Sequence, residues 1–582
     1  MFSLNFLEAK MIKYSKRESL KEEIDKLEKI TKVFSGIRLI LAIVCIIFVL
    51  CFLTLENYLF YLILSITSFI IIFLVIFMTN PKYHHLKILK NLEDVYKRHD
   101  LRRNGNYTGF ADDGREFIDY NDYKVLDIDL LGPKSLYQYL CVAKTKYGRL
   151  SLANQLKNPS SKSDVFRQSV YKFANDEDAF LIEASLNNMN KELNNCDYDE
   201  LLSIANKKIP LKPFYWLLMG ISVISFIVLL VIFILNDINP LGLSVYFLIN
   251  YLITSRLANN EVFRLNSSKY QELLDAFQTI SKDILVSKIN DDYFNELREV
   301  IKEGYQSIIL LNKIFDMLSY RRNIILSILG NGLFFMDYFI ILGFNKYVKN
   351  IHNVEEAISA IAEIELILSL ATIGIDNEVY CIGNTDNNLY IEEGYHPLIK
   401  NCVPNSFVLA SGVILTGSNM AGKTTFQRMI GINQVLYNAG GLVCAKYFSS
   451  KYMNVVTSLR ANDMLQEGIS TFYAEIKRMK KIIDTVNVDN NTLVLIDEIF
   501  KGTNAKDRIY GSLEIIKTLN EKNVLFIITT HDFEICDAKN ILNYHFSEKY
   551  FDDKISFDYK IKDGVCSSTN AKFLLKMSGI IK

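Results

Sequence analysis

Residues 417–424 read Gly-Ser-Asn-Met-Ala-Gly-Lys-Thr, after the apolar run Phe407–Leu415 and before the helical stretch that starts at Thr425. The spacing fits G-x-x-x-x-G-K-[ST], and a strand–loop–helix setting is the context in which that pattern carries chemistry. Gly417 and Gly422 let backbone N–H groups turn toward phosphate oxygens. The helix that follows contributes about half a positive charge at its N-terminus. Lys423 is expected to reach the β- and γ-phosphates of ATP, and Thr424 to hold Mg2+. Ser418, Asn419, Met420, Ala421 and Thr425 complete the nucleotide-binding segment. From about residue 375 short β-rich runs alternate with helical ones, at Ser406–Thr416, Thr492–Ile496 and Val524–Thr529. That rhythm predicts a parallel sheet with crossover helices.

Two further strands end in reactive side chains. Leu493-Val-Leu-Ile is a buried-strand pattern, and Asp497 and Glu498 emerge at its C-terminal end, where α/β sheets bind ligands. Asp497 is expected to orient the Mg2+ shell, and Glu498 to polarise the attacking water. Leu525-Phe-Ile-Ile-Thr-Thr530 ends at His531, placed to meet the γ-phosphate or that water.

These strings together resemble the MutS family of mismatch-repair ATPases. TGSNMAGKTT is similar to the family's phosphate loop, LVLIDEIFKGTN to its acidic strand, and FIITTHDFE to its histidine strand. Gly468-Ile-Ser470-Thr471-Phe472-Tyr-Ala-Glu475 resembles the loop that enters a partner's nucleotide site. The resemblance therefore implies a homodimer with composite sites, in which Ser470 touches the γ-phosphate in trans. Gly394-Tyr395-His396-Pro397 is similar to the segment near the adenine, which makes Tyr395 and His396 candidate base contacts. The resemblance is specific over about 190–210 C-terminal residues and weaker over LLGPKSLYQYLCVAKTKYGRLSLANQLKNP at Leu130–Pro159. DNA binding enters only as what the family implies. No β-rich domain surrounds either F-x-E string, at Phe6 or Phe294, so the mismatch-reading domain is expected to be missing.

The N-terminal half reads differently. Leu39–Leu55 and Tyr58–Met78 are apolar throughout, separated by Glu56-Asn57. Phe214–Leu235 and Leu241–Ser255 form a second such pair, the last weakened by Asn250. About 20 apolar residues span a hydrocarbon core of about 30 Å, and each run gains several kcal/mol on insertion. Lys and Arg crowd the flanks (Lys10–Lys32, Lys82–Arg103, Lys207–Lys212, Arg256 and Arg264) and are absent from both short turns. Two hairpins with cytoplasmic termini follow from the positive-inside rule. A fifth apolar segment, Asn323–Phe344, holds a central Asp337 that costs about 2.5–3.5 kcal/mol, and it reads as a buried helix of the cytosolic part.

The 582 residues balance 65 Lys+Arg against 65 Asp+Glu, with half the residues hydrophobic. So much apolar surface excludes a disordered chain, and a net charge of zero argues against coating nucleic acid by bulk electrostatics. Nine cysteines include no C-x-x-C pair, and no Cys/His cluster has zinc spacing. The expected architecture is multidomain: a cytosolic N-terminal helix (1–36), a transmembrane hairpin (37–80) and a helical core segment (81–206) come first. A second hairpin (207–256), a helical lever (257–374) and an α/β P-loop NTPase domain with a parallel sheet (375–582) follow. The leading expectation is a membrane-anchored MutS-like ATPase using ATP and Mg2+, with the lipid bilayer, a second copy and DNA as partners. A membrane ATPase acting on a protein or lipid is the alternative. A transporter is disfavoured, because no LSGGQ-type motif is present and the apolar helices offer no polar pathway.

Overall fold

A computed structural model describes residues 2–54, 58–189, 198–205, 241–257, 267–321, 323–418, 421–460, 471–551 and 554–566, with isolated residues between 209 and 232. The chain forms two compact units, one of Met1–Asp100 with Phe180–Asn188, the other of Leu101–Ala179 with Met189–Lys582.

The first unit is built on two long helices, α1 (Phe2–Thr54) and α2 (Tyr58–Arg103). The apolar runs do not stand alone as hairpin arms: each continues without a break into a charged helical half. In the charged halves Leu20, Ile24, Leu86 and Leu89 are buried together. Arg17 donates to both oxygens of Asp100, at 3.0 and 2.8 Å, and Lys90 pairs with Glu28 at 2.6 Å. In the apolar halves the pattern reverses, and Leu39 (64% exposed), Phe69 (66%) and Phe77 (71%) point outward. By length and composition, Arg17–Cys51 and Ile63–Arg103 are each long and apolar enough to cross a membrane. The Phe214–Leu235 run falls largely outside the described residues. Its companion is the helix Leu241–Leu257.

The second unit joins a helical body to the α/β region. Its body comprises α3 (Lys146–Lys157), α4 (Asp164–Asn175), α5 (Leu241–Leu257), α6 (Ser267–Val286), α7 (Asp292–Tyr320), α8 (Ile324–Phe334), α9 (Met336–Val348) and α10 (Val354–Asp376). Helix α10 also has the length and composition to cross a membrane, but 83% of its apolar window is buried against neighbours, which makes it a core helix. Of its two mid-helix carboxylates, Glu363 pairs with Lys162 at 2.6 Å, while Glu365 is fully buried. Glu365 accepts from the backbone N–H groups of Lys144 (2.7 Å) and Thr145 (2.9 Å) and from the Thr145 hydroxyl, so it ties α10 to the N-terminus of α3. The segment Asn323–Phe344, expected as one buried helix, is broken into α8 and α9 at Phe335, whose φ is +52°.

Among the described residues the α/β region holds eleven strands: β1 (Leu389–Gly394), β2 (Asn405–Leu409), β3 (Gly412–Thr416), β4 (Tyr447–Ser449), β5 (Asn454–Ser458), β6 (Thr492–Asp497), β7 (Leu525–Thr529), β8 (Ile541–His545), β9 (Glu548–Phe551), β10 (Lys554–Phe557) and β11 (Lys562–Asp563). The central sheet runs β11-β8-β3-β7-β6-β5, parallel except for β11. Helices α11 (Lys423–Asn438), α12 (Thr471–Val488) and α13 (Ala505–Glu521) connect its strands. The apolar run 406–416 is two strands, not one. β2 pairs antiparallel with β1 in a small second sheet, and β3 enters the centre of the main one. Gly412 marks the change, because a Cβ there would collide with the Phe526 ring.

One carboxylate welds body to sheet. Asp127, buried at the end of a short helix, accepts from the Thr457 hydroxyl (2.8 Å) and the N–H groups of Leu459 (2.9 Å) and Arg460 (3.2 Å). It also pairs with the Arg478 guanidinium. Nearby Asp129 holds Arg428 at 3.1 Å and Arg460 at 2.5 Å.

Candidate nucleotide site

Strand β3 is buried along its whole length and delivers the chain to Gly417 at the C-terminal edge of the sheet. Gly417 has φ +132°, and a Cβ there would strike the Phe546 carbonyl oxygen, so only glycine fits. Gly422, at φ +101°, caps the N-terminus of α11. Gln427, one turn further on, anchors that helix: its buried Nε2 donates to Ile496 O (2.8 Å) in β6 and Ile527 O (2.9 Å) in β7. Lys423 is 3% exposed, and its Nζ donates back to Gly417 O (2.5 Å) and Ser418 O (3.1 Å). Burial depresses its ammonium, while Asp497 and Glu498 oppose that effect.

The acids stand where their strand ends. The Thr424 hydroxyl donates to Asp497 Oδ2 at 3.1 Å, and the Thr529 hydroxyl to Asp497 Oδ1 at 2.5 Å. Glu498 lies at φ +56°, a left-handed conformation that costs a side chain about 1–2 kcal/mol. Its N–H is held by Thr529 O (3.2 Å) and Oγ1 (3.1 Å), and its Oε1 sits 3.0 Å from His531 Nε2. The His531 hydrogen bond holds the Glu498 carboxyl below the usual range, against desolvation, with Lys501 and Lys423 adding to the effect. Lys501 Nζ lies 3.8 Å from Asp497 and 3.7 Å from Glu498.

Six of the sequence-selected residues thus meet at one sheet edge: Gly417, Lys423, Thr424, Asp497, Glu498 and His531. Thr529 joins them unannounced. The only sequence signal for it was its place two residues before His531 on a core strand. Asn419, Met420 and Ser470 lie outside the described residues. Tyr395 and His396 stand elsewhere. The Tyr395 hydroxyl donates to Val379 O at 2.6 Å. The His396 ring is buried and pushed down to about 4 by desolvation, with Arg428 adding to it. Its Nδ1 accepts the Leu398 N–H at 3.3 Å, which braces the turn that follows.

Beside the loop opens a cavity of about 430 Å³, lined by Ile399, Cys402, Val403, Thr425, Met429 and Tyr559 among others. Asn405 closes its far wall, donating to Tyr559 O (2.9 Å) and accepting from Ile561 N–H (2.9 Å). Apolar walls of this size next to Thr425 suit a heterocyclic base. The Ser418 hydroxyl is buried and has no hydrogen-bond partner among the described residues. That orphan donor, the glycine cradle and the Thr424–Asp497 pair fit a nucleoside triphosphate and a hard divalent cation.

A family profile for MutS domain V matches residues 413–580, the span that contains this whole edge. The C-terminal part of this chain belongs to the MutS family. The DNA mismatch repair protein MutS of Aquifex pyrophilus is 30% identical over 253 residues, 40% of this chain and 29% of that protein. Its counterpart in Natronomonas pharaonis is 29% identical over 241 residues, 39% and 28% respectively, and that of Clostridium novyi 28% over 251, 40% and 27%. The MutS likeness thus covers less than a third of the length of these relatives. It leaves α1, α2 and most of the helical body unmatched.

Proposed function

We propose that the protein is a membrane-anchored ATPase of MutS type, whose nucleotide state drives a dimeric switch. The observation that carries this reading is the convergence of Lys423, Thr424, Asp497, Glu498 and His531 on one sheet edge. Lys423 would hold the β- and γ-phosphates, and Thr424 with Asp497 would hold Mg2+, which when bound neutralises charge on the phosphates. Glu498, ionised and oriented by His531, would take the proton of the attacking water. The base would rest in the cavity walled by Val403 and Tyr559, with Tyr395 and His396 supporting the 396–402 turn from behind. The outward apolar surfaces of α1 and α2 would lie in the bilayer, with both termini cytoplasmic.

The dimer makes a direct demand. If Ser470 serves the partner's nucleotide, a Ser470→Ala chain and a Lys423→Ala chain are each poorly active alone. Mixed in equal amounts they should regain about a quarter of normal turnover: random pairing makes half the dimers mixed, and each holds one intact site. Turnover in the mixture no higher than in the separate variants would dismiss the composite site.

DNA is the proposed target, since the relatives are named for DNA mismatch repair. Specific phosphate contacts would appear as filter binding that weakens steeply with salt. The zero net charge favours the second reading, an ATPase acting on a protein or lipid. No binding above background at low salt would decide for it.

A further inference from the structure

We propose that residues 323–348 form a re-entrant membrane element, whose outer face lies in the acyl region of the bilayer beside helix α5. The inference rests on the membrane reading of α5. It assigns to lipid a segment whose central aspartate argued for the cytosol.

The polarity of this segment is inside out. Helix α8 reads IILSILGNGLF and carries no ionisable group. Between Ile324 and Leu342 the exposed side chains, among the described residues, are Ile324 (73%), Ile328 and Phe339 (47%), all apolar. The strongly polar ones, Asn331 and Asp337, are buried at 3% and 1%. A water-soluble surface shows the opposite arrangement. A lipid-facing one requires this arrangement, with every polar group satisfied from within.

Asn331, Asp337 and Asn250 each have such a partner. Asn331 Oδ1 accepts the Asp337 N–H at 2.8 Å, which caps α9 after the break at Phe335. Asp337 pairs with Arg321 at 3.2 Å. Asn250, the residue that weakened α5 as a membrane helix, is 3% exposed and donates to Gly332 O at 3.0 Å. Gly332 is what lets α8 come so close, since a Cβ there would overlap the Phe247 ring. On its other side α5 shows Val245, Leu248, Ile249 and Leu252, each about half exposed, so the apolar surfaces of α5 and α8 belong to one packed group.

The element dips and returns. Eleven residues of α8 rise about 16 Å, half a hydrocarbon core of about 30 Å. Helix α9 then runs back along the end of α7, where a Cβ on Gly343 would meet Met317. Arg321 and Arg322 precede the element, and Lys346 and Lys349 close it. Cations at both mouths put both on the cytoplasmic side, as a re-entrant path demands.

Trp216 is the single tryptophan of the chain, so a Trp216→Phe background permits one reporter at a time. Full-length Ile324→Trp and Phe339→Trp variants would be placed in phosphatidylcholine vesicles with and without bromine on the acyl chains. Both sites are exposed, so the larger ring needs no repacking. Leu248→Trp on α5 and Tyr510→Trp on the ATPase region are the controls. The proposal expects quenching at 324 and 339 comparable to that at 248, with none at 510. Quenching at 248 but not at 324 or 339 would overturn the re-entrant element, leave the membrane reading intact and assign this face to a protein neighbour. No quenching at 248 either would remove the membrane reading and the proposal with it.

Discussion

A Glu498→Gln chain binds ATP as well as the parent does and hydrolyses it about 10²–10⁴-fold more slowly, the usual contribution of a positioned general base. The amide keeps the size and the left-handed backbone, and the N–H bonds to Thr529 are untouched. What disappears is the charge that accepts the proton of water. The loss corresponds to about 3–5 kcal/mol of transition-state stabilisation. Equilibrium binding of a fluorescent nucleotide beside steady-state phosphate release separates the two effects; a Gln variant that turns over at the parental rate would remove Glu498 from the chemistry. The pH profile carries the same argument. His531 donates to the Glu498 carboxylate and lowers its pKa, so the base stays ionised, and activity persists, to lower pH than a free glutamate would allow. As pH falls through that lowered value the rate is lost. His531→Ala lifts the carboxylate back toward its ordinary range, so the acid limb should move to higher pH. A limb that stays in place would mean that the hydrogen bond does not govern the base.

Lys423→Ala acts earlier, on binding. The ammonium is buried and bonded to two carbonyls of its own loop, Gly417 O and Ser418 O. A hydrogen bond from a charged donor to phosphate is worth about 1.5–3 kcal/mol, so ATP affinity should drop about 10–100-fold. ADP, which lacks the γ-phosphate, should lose less. Titration calorimetry with both nucleotides measures the difference. Equal affinity in parent and variant would show that the lysine serves only to brace the loop.

The reactive edge was legible because each part of it is a short contiguous string: a glycine loop, an apolar strand ending in Asp497-Glu498, another ending in His531. The parallel sheet was legible for the same reason, since buried strands read as apolar runs. The run 406–416 reads as one strand because two strands of different sheets meet there across the short link Ala410-Ser411, and the cue was the Ser411-Gly412 pair. The cavity beside the loop could not be read at all. It is assembled from residues 399–405, 422–429, 546 and 559, far apart in sequence and sharing no spacing. Asn250 and Asp337 looked like flaws in apolar segments because their partners, Gly332 and Arg321, are set by packing across the chain. Likewise nothing in the pattern showed that the apolar and charged halves of α1 and α2 are single helices, for a helix does not end where its surface changes character.

Asp127 has a practical meaning for anyone who wishes to isolate the catalytic part. A recombinant fragment cut at residue 375, where the sequence turns from helical to α/β, would leave its carboxylate partner behind. Arg478 would lose its carboxylate, and the Thr457 hydroxyl and the N–H groups of Leu459 and Arg460 at the end of β5 would lose their acceptor. The α/β region and the segment that carries Asp127 therefore belong to one compact unit, and a change of shape at the phosphate loop would be felt directly in that segment.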